Sequence, residues 1–375
     1  MRKVLIVGGG IAGLTSAILL EQIGYEVEIA EQAEKWEPVG AGIVLWPNCM
    51  KVMEASGIRE DVERRGNILQ ELNVVGLNGK LINGFNFSSI SKNEKLNAIG
   101  IFRQELHRAL VNGLKTVKVT LGISIEKLED KGNSVKVQFT DGKNSEYDFV
   151  VGADGIHSKT RELVFGNVKL RYSGSAGWRF TISRNTEEHE AYEIWNSGKR
   201  MGIVPIGRDM YYCFSTVNTH SNNNSLRNIS IDDYKNLYGE FVWKAKEILN
   251  RLTNNIQLIY DDLFDLNLNI WHKGNIVLIG DAAHAITPNL GSGAAMAMED
   301  ALSLAKSLKN NDSLKHAFKQ YFKERYKRVN YIRGASYWFG KGAQLEGVLA
   351  KMRNIFVNMT GRISTPYIIK KVIGI

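Results

Sequence analysis

The chain has 375 residues, 44% hydrophobic and 23% charged, enough for a sizeable core and for two domains or one domain with an inserted layer. No run of about 18 uncharged apolar residues occurs, so no membrane-spanning helix is expected. The net charge of +9 comes from scattered Lys and Arg, apart from a helix-like YFKERYKRV at 321–329. That distribution speaks against nucleic-acid binding and for a mild field that attracts anionic small molecules.

The opening MRKVLIVGGGIAGL has the basic start and apolar run of a signal peptide, but no small-residue cleavage site follows and its glycines have another use. Lys3 to Val7 is predicted as a strand, Ile11 to Ile23 as a helix closed by Gly24, and Tyr25 to Glu31 as a second strand. A helix over Pro47 to Ser56 is stopped by Gly57. Strands are expected at 68–77 and 80–87 around the turn Leu77-Asn78-Gly79, a helix over Phe102 to Leu114, strands at 116–129 and 134–140, and a buried strand over Asp148 to Gly152. Aromatic-rich strands follow at 174–183, 191–196, 200–206 and 210–217, then an Asn/Ser-rich loop and an amphipathic helix over 231–252. After the strand Ile276 to Ile279 the chain reads as mostly helical. Cys49 and Cys213 fit neither a CxxC nor a zinc-ligand spacing and read as reduced residues of a cytoplasmic protein. No metal-ligand cluster, Ser/His/Asp triad or Walker A loop is visible.

This order gives the fold class α/β: a Rossmann-like nucleotide domain with an inserted β-sheet substrate domain and a helical C-terminus. The expected boundaries are 1–72, 97–170 and 270–335 for the discontinuous nucleotide domain, 73–96 and 171–269 for the sheet domain, and 336–375 for the helical segment.

Gly8-Gly9-Gly10-Ile11-Ala12-Gly13 is a GxGxxG turn between the first strand and helix. Gly8 permits the tight turn, Gly10 lets backbone approach a pyrophosphate, and Gly13 lets helix and strand pack closely. Glu31 ends the next strand, where a carboxylate accepts the ribose hydroxyls of an adenosine and repels a 2′-phosphate. The tightly held nucleotide is therefore not expected to be NADP. A second, remote motif, Gly280-Asp281-Ala282-Ala283-His284, ends a buried strand on a carboxylate, and Pro288, Gly291, Ser292 and Gly293 then open a helix from Ala294 to Leu308.

Three separated signatures now carry a resemblance: the glycine turn with Glu31; Asp148 to Arg161 (DFVVGADGIHSKTR); and GDAAH with Pro288, Gly291, Gly293 and Met298-Glu299-Asp300-Ala301. Together, over roughly residues 1 to 335, they resemble the single-component FAD-dependent aromatic hydroxylases built like para-hydroxybenzoate hydroxylase. Pro38 to Asn48 (PVGAGIVLWPN), Ile101 to Leu106 and the pair Arg325/Arg328 are similar to the branch of urate, salicylate and 3-hydroxybenzoate hydroxylases and the carotenoid epoxidases. The resemblance implies that FAD is held by Gly8, Gly10, Ala12, Gly13, Glu31, Gln32, Val44, Arg103, Asp281, Pro288, Gly291, Ser292, Gly293 and Ala294. Asp281 would accept from a ribityl hydroxyl, and the helix N-terminus after Gly293 would stabilise the anionic edge of the reduced flavin. Ser292 stands where many relatives have Gln, and Ala295 where they have Asn or Cys, which bears on the position of the isoalloxazine more than on FAD binding. Asp154 and Arg161 are expected to organise the fold, and His284 to pack and hydrogen-bond beside the cofactor.

The implied activity is oxygenation by NADH or NADPH and O2, through a flavin C4a-hydroperoxide, of a small aromatic or conjugated substrate, by hydroxylation or epoxidation. Arg179, Arg200 and Tyr212 are the candidate substrate contacts, and Arg200, Tyr211 and Tyr212 the candidate catalytic groups. Alternation places Tyr211 and Cys213 on one strand face and Tyr212 and Phe214 on the other, without saying which meets the flavin. A flavin-dependent reductase of related fold, or a non-catalytic flavoprotein binding a partner through basic C-terminal helices, are the alternatives. A monomer or homodimer is expected.

Overall fold

The run Lys3–Val7 is apolar after its first residue and buried on both faces, the signature of a central parallel strand. The computed structural model, which describes residues 2–36, 41–87 and 97–374, places it in the middle of a six-stranded sheet. Pro38, Val39 and Gly40 of the PVGAGIVLWPN segment, and residues 88–96 of the expected sheet domain, lie outside the described residues. In spatial order the sheet runs His272–Lys273, Ile276–Leu278, Phe149–Gly152, Lys3–Val7, Glu26–Glu31 and Lys118–Leu121. All neighbours pair in parallel except the short edge strand His272–Lys273. Ile6 lies level with both Ile29 and Val151.

Chain order reverses at Lys3–Val7, and ligands of such sheets bind outside the carboxyl ends of the strands at that switch point. Gly8 sits there with φ +104°, and a Cβ on it would lie 2.6 Å from the carbonyl oxygen of Ala153, at the end of the adjacent strand. Gly13, in the helix Ile11–Gln22, lies so close to the turn that a Cβ would come within 1.9 Å of the Gly8 carbonyl oxygen. Both positions admit only glycine.

The second large sheet has seven strands in the order Ile259–Asp265, Arg171–Ser183, Met210–Asn218, Lys199–Ile206, Glu190–Trp195, Glu71–Val75 and Leu81–Asn86. One face packs Ala191, Val204 and Ile206 into the same core as the parallel sheet. The other packs Trp178, Phe180, Met201 and Cys213 against the helices Ile231–Leu237 and Lys244–Arg251. Ile259–Asp265 adds an edge strand that the sequence pattern did not announce.

Three predicted elements divide. The stretch 116–129 breaks at Gly122, whose φ is +70°: Lys118–Leu121 joins the parallel sheet, while Ile125–Asp130 starts a three-stranded antiparallel meander. The stretch 68–77 also splits, with Asn67–Leu69 pairing beside Ala98–Phe102 and Glu71–Val75 entering the seven-stranded sheet. The helix expected over 231–252 is interrupted between Leu237 and Lys244, which turns both Tyr238 and Phe241 into the core under Trp178. Trp243 restarts the helix from φ +57°. The boundary expected at 335 falls inside a continuous helix, Leu314–Ala343, which a second long helix, Gly347–Ile373, follows.

Candidate functional site

At the nucleotide end, the Glu31 carboxylate accepts from the backbone N–H of Gly9 at 2.6 Å and of Ala33 at 2.8 Å. Each oxygen keeps lone-pair capacity for a further donor. His107 meets the Gly9 carbonyl oxygen at 2.9 Å, and Trp36 lies over Gly9 with its ring 5.0 Å from that of His107. Gly10 presents an open face: a Cβ there would meet no protein atom within 4 Å. Gln32 is exposed beside Glu31, Ala12 packs against Gly280, and Val44 packs on the main core from the short strand Gly42–Leu45.

Asp281 begins one helical turn, Asp281–His284, directly after the strand Ile276–Leu278 and Gly280. Its side chain is exposed to solvent and makes no hydrogen bond among the described residues. Even so, the protein packed closely around it raises its pKa, while His284 and Arg103 pull the other way. What holds it in place is the buried Asp300 carboxylate, which accepts from Gly280 N–H at 2.9 Å, His284 Nε2 at 2.5 Å and Arg325 Nε at 2.8 Å. Neighbouring Glu299 accepts from Arg325, from Arg328 at 2.6 and 2.7 Å, and from Asn48 Nδ2 at 2.5 Å. His284 is buried, with its ring 4.7 Å from Trp271, so its place is in this support. Asp154 accepts from Ser158 Oγ, Thr160 N–H and Thr160 Oγ1, and Arg161 donates to the Ala282 carbonyl oxygen at 3.0 Å, tying the two remote motifs together.

The glycine stretch is pinned from three sides. Trp46 Nε1 and Ser292 Oγ both donate to the Leu290 carbonyl oxygen at 3.0 Å. Asn289 donates to Thr287 Oγ1 and to the Ser336 carbonyl oxygen, and accepts from Arg200 at 2.5 Å. Pro288 opens the short turn Pro288–Leu290, Gly291 closes it at φ +58°, and the helix Gly293–Lys309 begins with no side-chain cap. Its first N–H groups are left for another acceptor. The site of a Cβ on Gly293 is open, with Ala294 beside it half-buried.

One face of the seven-stranded sheet is turned toward these elements. Arg179 lies opposite Phe214, and Tyr212 opposite Thr181 and Val204, so Arg179, Tyr212 and Phe214 share the face turned to the nucleotide domain. Tyr212 backs onto Gly42, where a Cβ would lie 2.5 Å from its own. Arg103, the first residue of the helix Arg103–Asn112, completes the cluster. Burial lowers its pKa, Arg179 lowers it further, and Asp281, Tyr212 and Asp261 oppose that shift. Arg179 is itself paired with Asp261, on the unannounced edge strand. Burial pushes the Tyr212 phenol up to about 12.

Two candidates fall elsewhere. Tyr211 sits on the opposite face with Cys213, beside Glu188 and the helix Lys244–Arg251, because successive strand residues alternate faces. Arg200 is buried on the face turned to the nucleotide domain, but its three nitrogens are engaged by Thr216 at 3.1 Å, Glu193 at 2.9 Å and Asn289 at 2.5 Å. It ties the sheet to the glycine stretch instead of lying free to meet a substrate. Trp46 and Asp261 are participants that motif reading missed. Trp46 immediately precedes a helix-opening proline, and Asp261 stands in LIYDDLFD, where acidic residues interrupt an apolar run, and those were their available signals.

The open faces of Gly10 and Gly293, the uncapped helix and the unpaired Asp281 suit a long dinucleotide with a polyhydroxyl linker. A family model described as FAD binding domain matches residues 1–331. The chain belongs to the FAD-dependent aromatic hydroxylase family. Its cofactor is FAD, and it is an oxidoreductase. It is 34% identical over 362 residues to 2-heptyl-3-hydroxy-4(1H)-quinolone synthase of Pseudomonas aeruginosa, covering 95% of this chain and 94% of that one. It is 31% identical over 351 residues to aurachin C monooxygenase/isomerase of Stigmatella aurantiaca, covering 92% and 91%. Klebsiella pneumoniae HpxO, solved with FAD and uric acid, shares the fold with a TM-score of 0.90 at 22% identity, over 99% of this chain and 96% of that one. In this family member Gly280, next to Asp281, packs against Ala12 of the glycine-turn helix and against Ala297 of the helix that the second glycine stretch opens.

Proposed function

We propose that this chain is an NAD(P)H-driven FAD monooxygenase that places an oxygen atom on a fused, nitrogen-containing aromatic ring of the quinolone kind. The observation that carries this proposal is the gathering of Arg103, Arg179, Tyr212 and Asp281, which would line one substrate groove. The name of the quinolone synthase relative supports the substrate class, and urate, a fused nitrogen heterocycle, is named for relatives at 29% identity.

FAD, when bound, supplies electron transfer and oxygen activation. The chain's own residues must orient the ring, favour its electron-rich form and keep water out. The Arg103 and Arg179 guanidinium groups act on each other, with Asp281 and Asp261 as their opposing carboxylates. An enolate or phenolate oxygen placed there gains charge-assisted hydrogen bonds, so the deprotonated, electron-rich ring is the form the site holds. Tyr212, neutral at ordinary pH, can donate to that oxygen or relay its proton. With Phe214, its ring 6.1 Å away, it walls the groove with aromatic carbon that excludes water.

The test is NADH and NADPH oxidation by the purified protein against 4-quinolones, purines and phenolic acids. Quinolones should accelerate it most. Acceleration by phenolic acids alone would overturn the substrate class.

A further inference from the structure

The last helix carries an apolar face that no other described residue covers. Val348, Met352, Phe356, Met359, Ile363 and Tyr367 recur at helical spacing along Gly347–Ile373 and are all exposed, Met359 at 75% and Ile363 at 84%. The stripe extends about 30 Å at 1.5 Å per residue. The opposite side is firmly seated. Ile369, Val372 and Ile373 enter the main core, Asn358 donates to the Ile82 carbonyl oxygen, Asn83 donates to Thr365, and Arg353 donates inward to the Ala343 carbonyl oxygen. Among the described residues the helix is therefore docked along its inner side and uncovered along its outer one. Exposed contiguous apolar surface of this length marks an interaction site.

Charge identifies what it meets. The helix contains five Lys and Arg and no Asp or Glu. On a 3.6-residue wheel the exposed Lys351 and Lys371 lie on opposite flanks of the stripe, and exposed Lys370 continues its line at the C-terminal end. Lys371 lies 5.8 Å over the ring of Tyr367. Ammonium groups flanking apolar side chains, with an aromatic ring at the end, match a headgroup layer above acyl chains. A two-fold contact between copies would set lysines against lysines in a chain of net charge +9. No helix among the described residues is long and apolar enough to cross a membrane, so the helix would lie in the interface plane.

We propose that the outer face of Gly347–Ile373 docks the protein on an anionic lipid bilayer. The experiment is flotation of the full-length, FAD-loaded protein with vesicles of phosphatidylcholine alone or mixed with phosphatidylglycerol. The protein should partition roughly ten-fold or more in favour of the anionic vesicles, and added salt should reduce this. The double variant Met359→Glu/Ile363→Glu should lose roughly ten-fold or more of that partitioning, with flavin content and NAD(P)H oxidation unchanged. Equal flotation with both vesicle types, or undiminished flotation of the variant, overturns the proposal. So does a dimer in sedimentation that the variant dissociates while the wild type ignores anionic vesicles, which would assign the face to a second copy.

Discussion

Arg200 on the seven-stranded sheet donates to Asn289 in the glycine stretch at 2.5 Å, a direct tie between that sheet and the start of the helix Gly293–Lys309. The same guanidinium holds Glu193 and Thr216. Removing it takes the cation from part-buried Glu193 and a donor from Thr216 and Asn289, a loss of about 3 kcal/mol. Arg200→Met should therefore lower unfolding stability and FAD retention together, measured by denaturant titration and by flavin released on gel filtration. Arg200→Lys should rescue only part, since one ammonium cannot serve three partners in a planar fork. A raised KM with normal stability would instead make Arg200 a substrate anchor.

Asp281 carries two opposed predictions. As an ionised acceptor it should contribute about 1.5–3 kcal/mol to FAD binding, so Asp281→Ala should weaken retention roughly ten- to a hundred-fold. Protein packed around the carboxylate raises its pKa in the folded chain, although the side chain still reaches solvent. The folded apoprotein then keeps a proton that the unfolded chain loses first, so stability falls as pH rises above the ordinary Asp range. Asp281→Asn, stripped of FAD, should unfold at higher temperature than stripped wild type at neutral pH. Thermal scans of the two apoproteins check this.

Asp300 behaves in the reverse sense. Burial alone would raise its pKa, but His284 and Arg325 outweigh that and hold it below the ordinary range. Its stabilisation is present above the ordinary Asp pKa and is lost as pH falls through the depressed value. Asp300→Asn should cost about 3–5 kcal/mol at neutral pH, with the gap to wild type narrowing in acid. Urea titrations across pH measure it.

Tyr211 and Tyr212 should separate cleanly. Tyr212→Ala opens the groove wall, so hydrogen peroxide released per NAD(P)H oxidised should rise while FAD content stays normal. Tyr211→Ala should leave that ratio unchanged and cost about 3 kcal/mol of stability, since it packs under the helix Lys244–Arg251. The ratio is read from peroxide and product assays run side by side.

The nucleotide half was legible because its signals are local. A tight turn, a close helix and a strand-end carboxylate each require particular residues within about 30 positions. The sheet half was legible as strands but not as a surface. Period-2 alternation separates Tyr211 from Tyr212, yet the covered face is decided only when Tyr234, Tyr238 and Phe241 pack under Trp178. A clue was nevertheless present: one face bears Trp178, Phe180 and Cys213, the other Arg179, Thr181 and Tyr212. Contacts such as Arg200 to Asn289 and Arg179 to Asp261 join residues more than 80 apart in sequence. They depend on strand order, which no local pattern carries. The uninterrupted helix through 335 was masked by motif matching that ended there.

The account stands most directly on the fate of oxygen. Turnover of an accelerating ring substrate with NAD(P)H under isotopically heavy O2, read by mass spectrometry, should give a product carrying one heavy oxygen atom. An accelerated NAD(P)H oxidation that yields a product gaining hydrogen and no heavy oxygen would contradict it, and would make the chain a reductase.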